Sequence, residues 1–284
     1  MLRPLKQSEF EKYVHFAYDL AGNLSKSAYP TYCDGIKTKA DFIERAKQAF
    51  AREHEEILLF EYDEVVEGWI HYYALSEDRY VSFFVFNIRN HAAVAVDEII
   101  EYLAKNYHGC RLYFGLPTEN EAVITHLMAI RFSKEEEHCV DVLHFHSHQS
   151  SASVEGIVKI TRKNFAVLAG LHDAPDDDMY WNNLRLLATV QDWNICLLYE
   201  KGFPVGAIYF GYADDVVTEI FGIDYAGNRF NSEVFRKLLT HALNEGKNAG
   251  MKHLVFFAGE DEYSIAVQMG FHFVSKYVLY SRDI

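Results

Sequence analysis

The 284-residue chain has no run approaching the roughly 20 consecutive apolar residues of a membrane span. Its opening stretch, MLRPLKQSEFEKY, lacks the apolar centre of a secretory signal. Together these absences predict a cytoplasmic protein with no membrane partner. Cysteine is scarce. Cys33, Cys110, Cys139 and Cys196 are too widely spaced for a CxxC pair, so zinc and dithiol redox motifs are missing and no metal site is expected from them. They read as reduced thiols of a cytosolic protein. Positive charge is also in short supply: 27 bases face 41 acids, a formal net charge of −14. That balance argues against a nucleic-acid partner, because binding phosphate backbones needs a basic surface. Cationic amines, neutral metabolites and proteins stay open as partners.

Aromatic residues are plentiful, at 15% with 21 Phe and 19 Tyr, and point to many strands. Half of the chain is hydrophobic, an ordinary globular value. The length fits one large domain or two of about 140 residues.

Two segments repeat one layout. EYDEVVEGWIHYYAL surrounds Gly68 and YEKGFPVGAIYFGYA surrounds Gly206, 138 residues later. Each has a short turn, a Gly and an aromatic-rich run. Strand-like runs follow at Tyr80–Phe86 and Val217–Ile223. Helical faces follow these, with Val96, Ile99, Ile100 and Leu103 in one copy and Val234, Phe235, Leu238, Leu239 and Ala242 in the other. Gly109 and Gly250 are candidate C-caps. Further helices at Glu121–Ala129 and Glu262–Gln268 lead to Arg131-Phe132 and Gly270-Phe271, and strands at Val140–Phe145 and Tyr277–Tyr280 close the copies. Upstream, MLRPLKQSEFEKYVHFAYDL matches GIVKITRKNFAVLAGLHDA, with Ser8 and Asn164 as candidate N-caps. The first copy carries a longer helical region before its hairpin. His146–Gly156, polar and small, reads as a linker.

This order resembles the GNAT-type acyl-CoA N-acyltransferase superfamily, in a tandem arrangement. The stretches around Arg3 and Lys159 look like the family's opening strand. Val66-Glu67-Gly68 and Val205-Gly206-Ala207 look like its central hairpin. Gly270-Phe271 looks like the Gly-Phe near its end, and Asn120 falls where the family has an Asn opening its fourth helix. The resemblance implies an α/β (α+β mixed) fold of two GNAT-like domains, residues 1–147 and 156–284. Each would be a mixed, mostly antiparallel sheet flanked by helices. It also implies acetyl-CoA, or another acyl-CoA, as co-substrate, and a small-molecule or peptide amine as acceptor. The alternative is a degenerate GNAT pair that binds a ligand or a protein.

The family holds the cofactor pyrophosphate on a loop of the form Arg/Gln-x-x-Gly-x-Gly/Ala. Backbone N–H groups at a helix N-terminus face phosphate there, and small residues permit close approach. Counting from Val85 places Asn90, Ala93 and Ala95 on the motif, with His91, Ala92 and Val94 between. Asn90, Ala92, Ala93 and Ala95, with Asn120, are therefore the expected cofactor residues. Alanine is also simply a good helix former. In the second copy Glu233 falls on the motif, either repelling phosphate or serving the helix dipole, so the first copy is the favoured cofactor site.

Acyl transfer to an amine requires a base, a donor polarising the thioester and an acid for the thiolate. The resemblance puts the polarising N–H on a bulged strand, near Phe84–Phe86 and near Phe221–Ile223, and Phe86 joins the expected cofactor-binding residues of the favoured copy. The family's acid, a Tyr four residues before the Gly-Phe, is replaced by Leu127 and Ala266. His126, beside Leu127, and Tyr263, one turn before Ala266, are the candidate substitutes. Each also reads as an ordinary packing or surface residue. Glu219 is the candidate base. By alternation it is either half-buried or turned outward, and Tyr80 and Ser82 are weaker counterparts in the first copy. His144, His146 and His148 alternate as strand neighbours or as a solvated tail. Asp176–Asp178 and Asp214-Asp215 are acidic clusters able to attract a cation, or plain surface. Trp69, Trp181 and Trp193 are expected in the core. The sequence leaves the oligomeric state open.

Overall fold

The computed structural model describes residues 1–147, 152–172, 181–212 and 216–284. His148, Asp176–Asp178 and Asp214-Asp215 lie outside the described residues. In chain order the elements are β1 (Leu2–Pro4), α1 (Phe10–Ala21), α2 (Lys39–Gln48), β2 (Glu55–Tyr62), β3 (Val65–Leu75) and β4 (Tyr80–Ile88). Then come α3 (Ala92–Asn106), β5 (Arg111–Pro117), α4 (Glu121–Ala129) and β6 (Ser133–His144). The second copy follows with β7 (Ile157–Lys159), α5 (Phe165–Ala169), α6 (Asn183–Ala188), β8 (Asn194–Glu200), β9 (Phe203–Tyr212) and β10 (Val217–Tyr225). It ends with α7 (Ser232–Asn248), β11 (His253–Ala258), α8 (Glu260–Gln268) and β12 (His272–Asp283). Among the described residues no helix is long and apolar enough to cross a membrane.

The chain forms two compact units, Met1–His138 with Val274–Ile284, and Cys139–Phe273. They are not two consecutive segments divided near residue 150, as the repeat suggested. The last strand, β12, completes the first unit by pairing antiparallel with β5 from Tyr277↔Pro117 to Asp283↔Arg111. The end of β6 completes the second by pairing antiparallel with β11, from His144↔His253 to Cys139↔Ala258. Strand order is β1-β2-β3-β4-β5-β12 in the first unit and β6-β11-β10-β9-β8-β7 in the second. Only β4/β5 and β10/β11 pair in parallel in these two series, so each sheet is mixed and mostly antiparallel.

Each sheet is covered on both faces. In the first unit α3 and α4 cover Phe60, Ile70, Phe83 and Phe86 with Val96, Ile99, Leu103 and Leu127. On the other face, α1 and α2 cover Leu59, Trp69 and Val85 with Phe10, Val14 and Phe42. The second unit repeats this. Val234, Phe235, Leu238 and Ala242 of α7 and Ala266 of α8 cover one face. Phe165, Leu168 and Leu186 of α5 and α6 cover the other. The apolar helical stripes thus face the sheets as their spacing requires. Gly206 is glycine because α7 rests on it: a Cβ there would lie 2.7 Å from Val234 Cγ1 and 3.1 Å from Leu238 Cδ1. Gly109 and Gly250 follow α3 and α7 with φ of 83° and 79°, the left-handed geometry expected after a helix.

The N-cap assignments differ. Ser8 lies inside a short 3₁₀ turn, Gln7–Glu9, and no side chain caps α1. Asn164 does precede α5, but its Oδ1 accepts from the N–H and hydroxyl of Thr161, not from the helix. Trp69 and Trp193 are buried, at 0% and 7% exposure, and Trp181 is half-buried.

Candidate active site

Both parallel strand pairs split. In the first unit β4 and β5 pair only at Tyr80↔Arg111 and Val81↔Leu112. In the second, β10 and β11 pair from Val217↔His253 to Ile220↔Phe256 and no further. Beyond the last pair each long strand has a bulge. The β3/β4 register slips between His71↔Val85 and Tyr72↔Phe83, which leaves Phe84 as the extra residue. The β9/β10 register slips between Ile220↔Phe210 and Gly222↔Tyr209, which leaves Phe221 extra. Both bulges fall inside the ranges expected from the sequence. A bulge twists its strand away from the neighbour, so each split exposes a strand edge whose N–H groups are aimed at whatever lies between.

The two splits are filled differently. In the first unit the chain itself occupies the β4 edge. Ile88 donates its N–H to Lys26 O (2.9 Å), and the Asn120 amide donates to Ser27 O (2.8 Å). Ser27 and Ala28 are 2% and 3% exposed. Tyr29 stacks on Tyr277 at 5.1 Å and accepts its hydroxyl hydrogen bond at 3.1 Å. Gly115 on β5 makes room for them, since a Cβ there would lie 2.7 Å from the Tyr29 ring. Alternation puts the Phe86 N–H on the same edge as that of Ile88. Asn120 and this edge are therefore engaged by residues 26–29. In the second unit the corresponding residues are Ile223 and Tyr225. Among the described residues no loop hydrogen bond reaches this edge. A side-chain bond spans from Tyr225 to α8, whose Glu262 accepts the Tyr225 hydroxyl at 2.6 Å and also caps Gly259 N–H at 2.9 Å.

The helix starts shift the expected loop register by one residue. Helix α3 begins at Ala92 and α7 at Ser232, which aligns Arg89 with Arg229, each three residues before its helix. Arg89 lies over the Phe16 ring at 4.3 Å. Arg229 is exposed, and no hydrogen bond or ion pair engages it among the described residues. Asn90 is exposed and donates to Glu67 Oε2 at 3.0 Å. Ala93 is exposed and Ala92 half-buried, but Ala95 is 0% exposed and packs in the core, so its side chain faces no ligand. His91, at φ 60°, is the N-cap of α3 without a side-chain bond to it. At α7, Asn231 Oδ1 accepts from the N–H groups of Glu233 and Val234 at 3.0 and 3.2 Å. Glu233 is ion-paired with Lys237 at 2.9 Å, which offsets its charge one turn into the helix.

The candidate chemical groups are scattered. Glu219 is half-buried on β10, opposite Gly211, on the face covered by α5 and α6. Tyr263 is half-buried on α8, edge-on to Phe273 at 5.6 Å. His126 belongs to the other unit, where Nε2 meets Asp97 Oδ1 of α3 at 2.7 Å. Leu127 and Ala266, at the family's Tyr positions, are both fully buried. His144 Nδ1 meets His253 Nδ1 at 2.8 Å, with the His146 and His272 rings 5.9 and 6.3 Å from that of His144. Among the described residues no three His, Cys, Asp or Glu side chains are arranged to hold a metal.

A second polar set beside the Phe221 bulge went unread in the sequence. Asp224 Oδ2 accepts from the Tyr209 hydroxyl and from His172 Nδ1 (2.8 Å), and His172 Nε2 faces Trp181 O at 3.0 Å. The Asp224 hydrogen bond outweighs burial and raises the His172 pKa. Both ring nitrogens face acceptors, so this imidazole is held as the cation. The residues come from β9, β10 and the chain after α5, and no sequence spacing links them.

The fold is that of the GNAT N-acetyltransferases, present twice. A GCN5-related N-acetyltransferase from Sphaerobacter thermophilus is similar with a TM-score of 0.64 at 10% identity, covering 100% of this chain and 95% of that one. A tandem GNAT protein from the clavulanic acid biosynthesis pathway gives 0.56 at 11% identity, covering 100% and 98%. A GCN5-related N-acetyltransferase from Kribbella flavida gives 0.52 at 14%, covering 84% and 93%. No family model and no curated protein matches the sequence.

Proposed function

We propose that the protein transfers an acyl group, acetyl in the simplest case, from an acyl-CoA to an amine, with the acyl-CoA in the β10/β11 split of the second unit. The observation that carries this is the difference between the splits: the β4 edge is bonded to Lys26, whereas the edge at Ile223 and Tyr225 has no such occupant among the described residues. The exposed Arg229 and the start of α7 supply positive charge and N–H dipoles for the pyrophosphate. This suits a chain of net charge −14, which has no basic surface to spare.

The residues then divide the work. The N–H groups of the bulged β10 edge polarise the thioester carbonyl, a role for pre-aimed backbone donors. Glu219, on the same strand, removes a proton from the attacking amine, directly or through water. The amine nitrogen bonds to the carbonyl carbon, the C–S bond breaks, and the thiolate takes up a proton. Tyr263 on α8 is the donor we assign, reached by turning away from Phe273. His126, and the first-unit set Phe86, Asn90, Ala92, Ala93, Ala95 and Asn120, carry no step in this reading.

Full-length protein with acetyl-CoA and a panel of primary amines should release free CoA thiol. Glu219→Gln should lower kcat by about a hundredfold, in the range for removing a general base. Thiol release no faster than in buffer with every amine would overturn the proposal.

A further inference from the structure

We propose that Asp224 is a positioning residue of the acyl-transfer site. It ties down the bulged end of β10 and so keeps the N–H groups of Ile223 and Tyr225 aimed into the split. That role rests on the acyl-transfer reading; the tie itself stands on contacts within the chain. The need for a tie follows from the pairing. On one side, β11 pairs with β10 no further than Ile220↔Phe256. On the other, the register with β9 slips at Phe221. Gly222 comes next, and a glycine inside a strand weakens it and has no side chain to pack. Yet a donor that polarises a thioester must be held within about 0.5 Å of its working place.

Asp224 lies between the two edge donors. Its side chain alternates away from those of Ile223 and Tyr225, which pack on the α7/α8 face. On the α5/α6 face, Asp224 Oδ2 accepts from the hydroxyl of Tyr209, which stands on β9 opposite Gly222. The same oxygen accepts from Nδ1 of His172, in the chain after α5, at 2.8 Å. Tyr209 and His172 are both buried. One carboxylate thus joins the long strand to its neighbour and to the helical layer. Hydrogen bonds to a charged group are about twice as strong as neutral ones.

The first unit fastens the same position by other means. Counting from the two bulges aligns Asn87, between Phe86 and Ile88, with Asp224. Asn87 is 1% exposed, and its Nδ2 donates to Ala17 O of α1 at 2.9 Å. Both copies therefore tie this residue of the long strand to the layer built by their first helices. The tie recurs although its chemistry differs, which marks the position rather than the residue type as what matters. The counterpart of Tyr209 is His71, opposite Val85, and it bonds to Glu55 on β2 instead. In the second unit the neighbouring strand is drawn into the tie as well.

The test compares Asp224→Ala, Asp224→Asn and Tyr209→Phe with the wild type, all in the full chain. Without any CoA, backbone amide relaxation measured by NMR reads Ile223 and Tyr225 directly. Their order parameters should be about 0.85 in the wild type, as in rigid backbone, and below about 0.6 in Asp224→Ala. Asp224→Asn keeps an acceptor oxygen and should restore them. Tyr209→Phe removes one bond without changing shape, should lower them less, and carries the test should Asp224→Ala fail to fold. Asn87→Ala, the matching change in the first unit, should leave both amides as in the wild type. With acetyl-CoA and an amine, Asp224→Ala should lower kcat by about a hundredfold, the loss a 1 Å misplacement produces. The KM for the amine should stay within about twofold, and Asp224→Asn should recover most of the rate. Unchanged order parameters in Asp224→Ala, or in Tyr209→Phe should the first not fold, would overturn the tie. So would an equal loss of order in Asn87→Ala. A wild type that releases no thiol would overturn the acyl-transfer reading alone, and the amide order would still decide the tie.

Discussion

Asp141→Asn is expected to stabilise the protein by about 4 kcal/mol above pH 7 and by little at pH 4. Asp141 sits on β6 of the second unit, 0% exposed, and neither carboxylate oxygen has a hydrogen-bond partner among the described residues. Burial alone raises its pKa from 3.8 to about 7. A rise of about three pKa units at 1.36 kcal/mol each sets the magnitude. For an acid whose folded pKa is raised, the folded state keeps its proton while the unfolded chain ionises. Stability is therefore undiminished below the unfolded pKa, near 4, and falls as pH rises until it levels off above about 7. Asparagine resembles the neutral acid in shape and cannot ionise. Denaturant titrations of both proteins from pH 4 to 8 should diverge steadily. Parallel curves would show that Asp141 does not titrate as argued.

Glu55→Gln should have the opposite effect, destabilising the first unit by about 3–5 kcal/mol, the usual cost of removing one partner from a buried charge set. The Glu55 side chain is 6% exposed and accepts a two-pronged contact from Arg45 at 2.8 Å, one bond from Arg52 at 2.9 Å and one from His71 at 2.9 Å. Burial would raise its pKa, but the hydrogen bonds from His71, Arg45 and Arg52 outweigh it and hold the carboxyl well below its usual range. Burial lowers the pKa of His71 despite Glu55, so at neutral pH the ring is neutral and Nε2–H is its donor. The stabilisation is present above the unfolded glutamate pKa, near 4.3, and is lost as pH falls through the depressed folded value. Denaturant midpoints at pH 7 measure the loss. A change below 1 kcal/mol would mean that the Arg45 and Arg52 bonds are solvent-compensated.

The fold was legible because its signals are periodic and local. The stripes Val96–Leu103 and Val234–Ala242, the hairpin glycines and the aromatic strands each declare an element within a dozen residues. Their repetition fixed the order. The exchange of closing strands was not legible. β6 and β12 carry the same alternating pattern whichever neighbour they pair with, and only tertiary packing chooses. The site was read less well for a related reason. The bulges at Phe84 and Phe221 could be placed by counting along a strand. The cofactor loop could not, because a one-residue difference in where α3 begins moves the motif from Asn90 to Arg89. The closure of the first split by Lys26–Tyr29 depends on a loop some 60 residues before Ile88 in sequence. Asp224, His172 and Tyr209 meet only in the folded chain.

The central claim is that acyl-CoA binds the second unit and not the first. Calorimetry of acetyl-CoA with the full chain and two exposed-site variants tests it. Arg229→Glu places a carboxylate at the start of α7 and should abolish binding, while Ala93→Glu, at the start of α3, should leave the affinity of the wild type unchanged. Loss of binding in Ala93→Glu with retention in Arg229→Glu would contradict the account and put the cofactor in the first unit.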